Sequence, residues 1–239
     1  MQATSLCVTC PHRDLGFCGA LLGKPSKELD LHQTQSWRRS GKRRPGEQVV
    51  TQNEASDEVF VLCGGWAFRY LQLANGGRQI LNFLLPGDLF SVASVFAQQF
   101  HYSVGALTEI QFSGFRRASV IAKYAGNLEI AKALANACMT EIKNADELVS
   151  VLGQRSAEER VAYLLLHLMK RVAAQSVIRE NRYPFPLRQQ HIADAVGLTT
   201  VHVSRVMSLL RDRGIVELSN GVLQVLDLAE LDRLGSVGT

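Results

Sequence analysis

The sequence predicts an α+β chain: a block of short strands, one long helix, and a small domain built on two short helices and a hairpin. Three observations carry this. From about 46 to 118, short apolar runs are separated by Gly, Asn and Pro turn signals. From about 127 to 152, apolar and small residues recur in steps of three and four. From 187 to 227, two helical patterns flank a glycine and a hairpin pattern follows.

Composition sets the frame. At 239 residues the chain has room for about two domains. With 46% apolar and 20% charged residues it is globular, which excludes a disordered or fibrous chain. Lys and Arg outnumber Asp and Glu by 26 to 22, a net charge of +4 that permits a polyanionic partner without demanding one. No run approaches the ~20 apolar residues of a membrane span. The opening MQATSLCVTCPHRD lacks the apolar core of a secretory signal, so a cytoplasmic protein is expected. The cysteines are Cys7, Cys10, Cys18, Cys63 and Cys138. An odd number with three crowded near one end points to metal or redox chemistry rather than a disulfide framework.

Residues 1–30 read as a cysteine-rich arm. WRRSGKRR (37–44) reads as a solvated strand flank, since no aromatic or helical pattern organises its charges into a nucleic-acid surface. VFVLC (59–63), WAFRYLQL (66–73) and RQILNFLL (78–85) are the clearest strands. Trp66, Phe68 and Tyr70 share one face and Ala67, Arg69 and Leu71 the other, and the aromatics are assigned to the core. Gly64-Gly65 and Asn75-Gly76-Gly77 tolerate the positive φ of tight hairpins, and Pro86-Gly87-Asp88 breaks the next run. Short strands at this spacing predict a sandwich or small barrel.

In the long helix, Ala135, Cys138, Ile142, Ala145, Val149 and Leu152 form a narrow seam, with Glu141, Lys143, Asp146 and Glu147 off it. Such a stripe fits two helices pairing along their length in a symmetric dimer. The alternative is burial against the chain's own β block.

In the last segment, Arg188 to Val196 reads as a short helix with Ile192, Ala193 and Val196 inward and Gly197 just past its end. Thr199 or Thr200 caps a second helix running to about Asp212, with Val203, Val206, Met207 and Leu210 inward. Its opposite face carries Val201, Ser204, Arg205 and Ser208. This is the helix-turn-helix plan, whose second helix fits the major groove of DNA. Arg205 can donate two hydrogen bonds to O6 and N7 of guanine, Ser204 can bond a base or phosphate, and Val201 can pack on a thymine methyl. Ile215–Leu218, Asn220-Gly221 and Val222–Val225 read as a hairpin wing, with Arg211 and Arg213 placed for phosphates. The DNA-binding set is Arg188, Gln189, Thr199, Thr200, Val201, His202, Ser204, Arg205 and Arg211. An enzyme is not expected, because no G-x-S-x-G, H-E-x-x-H, G-x-x-x-x-G-K-[ST] or G-x-G-x-x-G pattern occurs.

With these parts in order, the sequence resembles the CRP/FNR superfamily of bacterial transcription regulators, in its FNR/FixK-like branch, over nearly the whole chain. LPGDLF (85–90) resembles the family's β-roll signature, SAEERVAYLLLHL (156–168) the segment after its dimerisation helix, and IADAVGLTTVHVSRVMSLLRDRGIV (192–216) its helix-turn-helix. The resemblance implies an N-terminal β-roll of the jelly-roll, cyclic-nucleotide-binding type (31–126), a dimerisation helix (127–153) and a C-terminal winged helix-turn-helix (154–239). It also implies a homodimer on double-stranded DNA with palindromic half-sites, and RNA polymerase as a further partner.

Ser204 and Arg205 match the family's Ser-Arg pair, whereas Val201 stands where oxygen-responsive members commonly carry Glu. In cyclic-nucleotide binders a Gly-Glu pair and an Arg-Ser pair follow the PGD motif. Here FSVASVF (90–96) and FHYSV (100–104) put Val92 and Tyr102 in place of the Glu and the phosphate-gripping Arg, so cyclic nucleotide is rejected as effector. Cys7, Cys10 and Cys18, a C-x2-C-x7-C pattern, resemble the cysteines that ligate a 4Fe-4S cluster in FNR-type oxygen sensors. The family's fourth cysteine aligns with Ser113. Cys63, beside a Gly-Gly turn from which it could reach outward, is the candidate substitute, and Cys138 the lesser one. Zinc held with His12, metal-free thiol oxidation, and no role at all remain open. The expected protein is a dimeric regulator responding to oxygen or redox state. The competing readings are a cluster-free regulator governed by thiol oxidation or abundance and, more distantly, an iron–sulfur enzyme or electron carrier.

Overall fold

The computed structural model describes residues 16–22, 38–175 and 178–237. Helix α1 (Gly16–Leu22) comes first. The β block follows as β1 (Arg38–Arg43), β2 (Gln48–Val50), β3 (Glu58–Gly64), β4 (Ala67–Gln72), β5 (Arg78–Leu84), β6 (Ser103–Ala106) and β7 (Ile110–Arg116). These form a three-stranded sheet in the order β1-β7-β3 and a four-stranded sheet in the order β2-β6-β4-β5. The turn signals lie where the backbone turns. Gly65 has φ 76°, and a Cβ there would meet the Glu109 carbonyl oxygen at 2.1 Å, so only glycine fits.

The β block begins at 38 rather than about 46. WRRSGKRR is not a flank: Arg38 to Arg43 pair with β7 from Phe115 to Ile110. Backbone pairing makes this strand, so no apolar alternation marks it in the sequence. Gly41 admits the Phe112 ring against the strand, because an added Cβ would lie 2.3 Å from the ring. Replacing Gly41 by Val is expected to destabilise the protein by about 1–3 kcal/mol through overpacking, read as a lower melting temperature.

Phe60 sits among Phe90, Phe112 and Phe100 at centroid distances of 5.5, 5.7 and 6.2 Å. Trp66, Phe68 and Tyr70 are buried as the strand pattern predicted. After LPGDLF the chain forms a 3-10 turn at Val92–Val95. Helix α2 (Arg117–Tyr124) then follows directly from β7, in a stretch where the sequence pattern marked no helix. Phe17, Cys18 and Leu21 of α1 pack with Val59, Val61, Phe115 and Val120.

The long helix α3 spans Leu128–Gln154. Asn127 Oδ1 accepts the backbone N–H groups of Glu129 and Ile130 at 3.0 and 3.2 Å, satisfying donors that a helix start leaves unpaired. Ile130, Leu134 and Val151 are buried. Of the expected seam, Ala135, Cys138, Ile142, Ala145 and Val149 are exposed and Leu152 is half-buried. The β block leaves Ala135, Cys138 and Ile142 open.

The described residues divide into two compact units, one drawn from within 1–72 and 82–142 and the other from within 73–81 and 143–239. The second holds α4 (Ala157–Gln175), β8 (Arg182–Pro184), α5 (Gln189–Val196), α6 (Thr200–Asp212), β9 (Val216–Ser219), β10 (Val222–Val225) and α7 (Leu228–Gly235). The predicted hairpin is β9–β10, and β8 adds a third strand in the order β8-β10-β9. Val161, Leu165, Phe185, Ile192, Val196, Val203, Leu210, Leu223 and Leu231 form its core. Within this unit Arg78 pairs with Asp194, and Gln79 Nε2 donates to the Ala195 carbonyl at 3.0 Å. Among the described residues no helix is long and apolar enough to cross a membrane.

Candidate nucleic-acid interface

Helix α5 starts at Arg188, whose backbone N–H donates to His191 Nδ1 at 3.0 Å. It ends at Gly197, which takes the left-handed conformation (φ 66°, ψ 39°) that closes a helix without a Cβ clash. Two residues on, Thr199 caps α6 by accepting the His202 backbone N–H at 3.2 Å. These two devices fix the turn between the helices.

One face of α6 is anchored by buried Val203, Val206 and Leu210, with Met207 half-buried. The other presents Val201 (60% exposed), His202 and Arg205, with Ser204 and Ser208 half-buried beside them. Thr199, Val201, His202, Arg205, Val206 and Leu209 line a shallow open depression along this face. No Asp or Glu occurs between Asp194 and Asp212, so nothing on the helix repels a phosphate backbone until its last residue. An exposed apolar Val201 one turn before an exposed guanidinium suits a groove lined by thymine methyls and purine edges.

The remaining predicted contacts are distributed as follows. Thr200 is half-buried at the start of α6, and Arg188 and Gln189 are exposed at the start of α5. Arg211 is 61% exposed with Asp212 beside it at 3.4 Å, which leaves it able to meet phosphate. Arg213 does not fit its expected role. It pairs with both Glu158 and Glu230, tying α4 to α7, and Glu230 is shared with Arg233 at 2.7 Å. Charge neutralisation inside the unit takes this cation away from DNA.

Two histidines tie the unit's stability to pH. Burial, and then the nearby Arg171, Lys143 and Lys170, lower His167 to about 4. Burial, and then Arg78 and Arg188, opposed by Asp194, lower His191 to about 4. Both are neutral when folded, and the neutral His191 ring is what accepts the Arg188 N–H. The unfolded chain binds these protons near pH 6.5, so stability is complete above that value and falls as pH drops from about 6.5 toward 4. His167→Gln is expected to flatten that decline, checked by melting temperature against pH.

The cysteines are placed unevenly. Cys7, Cys10 and His12 lie outside the described residues. Cys18 is 8% exposed within the apolar core around α1. Cys63 does not reach outward as expected. It is half-buried, its Sγ 3.3 Å from Ser113 Oγ and 3.7 Å from the Val61 carbonyl. Cys138 is exposed on α3. Among the described residues no group of three or more His, Cys, Asp or Glu could hold a metal.

The sequence reading missed a cation in the β block. Arg69 of β4 lies over the Tyr102 ring at 5.1 Å from its centroid and pairs with Glu141 at 3.2 Å. A pair 72 residues apart leaves no local pattern by which to find it.

Comparison with known proteins agrees with this architecture. The Crp-like helix-turn-helix domain model matches residues 159–234 and the cyclic nucleotide-binding domain model matches residues 42–127. The transcriptional activatory protein AadR of Rhodopseudomonas palustris is 30% identical over 228 residues, covering 95% of this chain and 92% of AadR. The transcriptional activator protein FnrL of Cereibacter sphaeroides is 28% identical over 215 residues, covering 89% and 84%. The structure of FixK2 from Bradyrhizobium japonicum superimposes with a TM-score of 0.76 at 24% identity, covering 84% of this chain and 99% of that one, which speaks to fold. The chain is a DNA-binding transcription regulator rather than an enzyme, and it belongs to the CRP/FNR family.

Proposed function

We propose that two copies of this chain pair along the α3 seam and set their α6 helices into successive major grooves of a palindromic site. There they activate transcription by engaging RNA polymerase, and DNA affinity follows oxygen or redox state through the N-terminal cysteines. The observation that carries the DNA reading is α6 itself, capped, anchored on one face, and offering Val201, Ser204 and Arg205 on the other. Half-sites one turn of DNA apart, ~34–36 Å, require a dimer of fixed spacing. The exposed apolar stripe on α3 supports it. Activation is the role carried in the names of AadR and FnrL.

The redox part rests on Cys7, Cys10 and Cys18 with Cys63 as fourth thiolate. Ser113 faces Val61 across the β3–β7 pair, and side chains directly opposite share a face. The Cys63 thiol touches Ser113, so it belongs to the face of β3 against which α1 packs Cys18. Two thiols on one face fit a cluster completed by the arm. A 4Fe-4S cluster held there would supply an oxygen-labile redox centre. Cyclic nucleotide is not the effector in this reading.

The test is selection of bound sequences from random duplexes, using protein purified under nitrogen and in air. Anaerobic protein is expected to be brown, to lose its visible absorbance in Cys63→Ser, and to enrich two-fold symmetric sites more strongly than aerated protein. Enrichment of no symmetric site in either preparation overturns the DNA reading. Colourless anaerobic protein with equal enrichment in both overturns the redox reading alone.

A further inference from the structure

The β block holds a partly buried ionic contact that DNA binding does not use. The Arg69 side chain is 12% exposed, and its Nη1 lies 3.2 Å from Glu141 Oε2. The same guanidinium nitrogen donates to the Phe90 carbonyl at 3.3 Å. The Glu141 carboxylate also accepts the Val92 backbone N–H at 3.0 Å and the Ser91 hydroxyl at 3.4 Å. One carboxylate thus receives a guanidinium, an amide and a hydroxyl, all from the β block. Beside it lie two buried polar atoms, Arg69 Nε and the Tyr102 hydroxyl, the latter next to Ser91 and Arg69. Burial pushes the Tyr102 hydroxyl up to about 12, so it stays a neutral group.

We propose that Arg69, Ser91 and Val92, with the Tyr102 ring packed under the guanidinium, form a carboxylate-binding site in the β block, and that its resident ligand is Glu141 of the same chain. The charge arithmetic selects the ligand class. One guanidinium with neutral donors balances a single negative charge, whereas a dianion would stay undercompensated away from water. Glu141 adjoins Ile142 of the apolar stripe on α3, so the internal ligand also fixes which face of that helix the β block holds. A site filled from within needs no diffusible molecule to hold α3, so the seam is set as soon as the chain folds. This stands apart from the DNA and redox readings, and its test uses neither.

Glu141→Ala removes a CH2–COO− fragment, the heavy atoms of acetate. The full chain is melted in sodium chloride and in sodium acetate at equal ionic strength. Wild-type protein is expected to melt at the same temperature in both salts. Glu141→Ala is expected to melt about 4–8 °C lower in chloride, as for loss of one partner of a partly buried ion pair. Acetate is expected to restore it with a saturating concentration dependence, as ligand linkage requires. The Arg69→Met/Glu141→Ala double variant is expected to show no acetate effect. Where Glu141→Ala does not fold, Glu141→Gln, which keeps the volume and loses the charge, is expected to melt below wild type and to ignore acetate. Wild-type melting of either Glu141 variant in chloride, or an equal acetate effect in wild type, Glu141→Ala and the double variant, overturns the proposal.

Discussion

Placing Glu at both Ile142 and Val149 is expected to leave a folded monomer that no longer holds a palindromic DNA site. The two side chains are 56% and 72% exposed in the single chain, as is Met139 at 69%. Substitutions at such positions usually move stability by no more than about 0.5 kcal/mol, so the melting temperature should stay close to wild type. In a dimer paired along this stripe, the same changes force four carboxylates into one seam, each losing water without gaining a partner. Pairing then fails, and with it the advantage of holding both half-sites at once, which is worth about 100–10,000-fold in apparent affinity. Sedimentation equilibrium should give the mass of one chain, and titration of a symmetric duplex should show the weakened binding. Lys132→Gln, at a residue 59% exposed and off the stripe, should change neither. A double variant that sediments as a dimer and binds like wild type would place the partner surface elsewhere.

The sequence made some parts of this protein legible because their causes are local. Gly197 and Thr199 announce the turn between α5 and α6, and the period of three and four marks both the inward face of α6 and the open stripe of α3. The wing hairpin could be read because Asn220-Gly221 supplies the positive φ its turn adopts. Other parts have causes far away in the chain. Arg38 to Arg43 form a strand only because β7 lies beside them, and no alternation of their own says so. Strand β8 exists through β10, its partner some 40 residues later. The same holds for charges. Arg211 and Arg213 look alike in sequence, yet only Arg213 finds two carboxylates across the fold, and Arg69 is matched by a glutamate on another element. Local pattern gives the helix that can enter a groove. Which cations remain available to DNA is decided by tertiary neighbours.

Arg205→Ala is expected to abolish preference at one guanine in each half-site while leaving the fold and the dimer intact. Arg205 is exposed on α6 and makes no ion pair with another described residue, so removing its head leaves nothing unpaired inside the protein. The loss falls on the complex. A bidentate guanidinium–guanine contact is worth about 1–3 kcal/mol of discrimination, which is about 5–150-fold in affinity for the correct half-site. Arg205→Lys keeps the charge but not the planar fork, so it should retain nonspecific binding and still lose the preference. Arg211→Ala provides the contrast. It should weaken binding about equally on all sequences and shallow the salt dependence by about one unit, because a phosphate contact carries no base information. Val201 can be tested within the same set of duplexes by exchanging thymine for uracil. A methyl contact predicts weaker binding of wild-type protein to uracil at one position and no such difference for Val201→Ala. If Arg205→Ala kept full base preference while Arg211→Ala lost it, the face of α6 that enters the groove would have to be turned toward its C-terminal end.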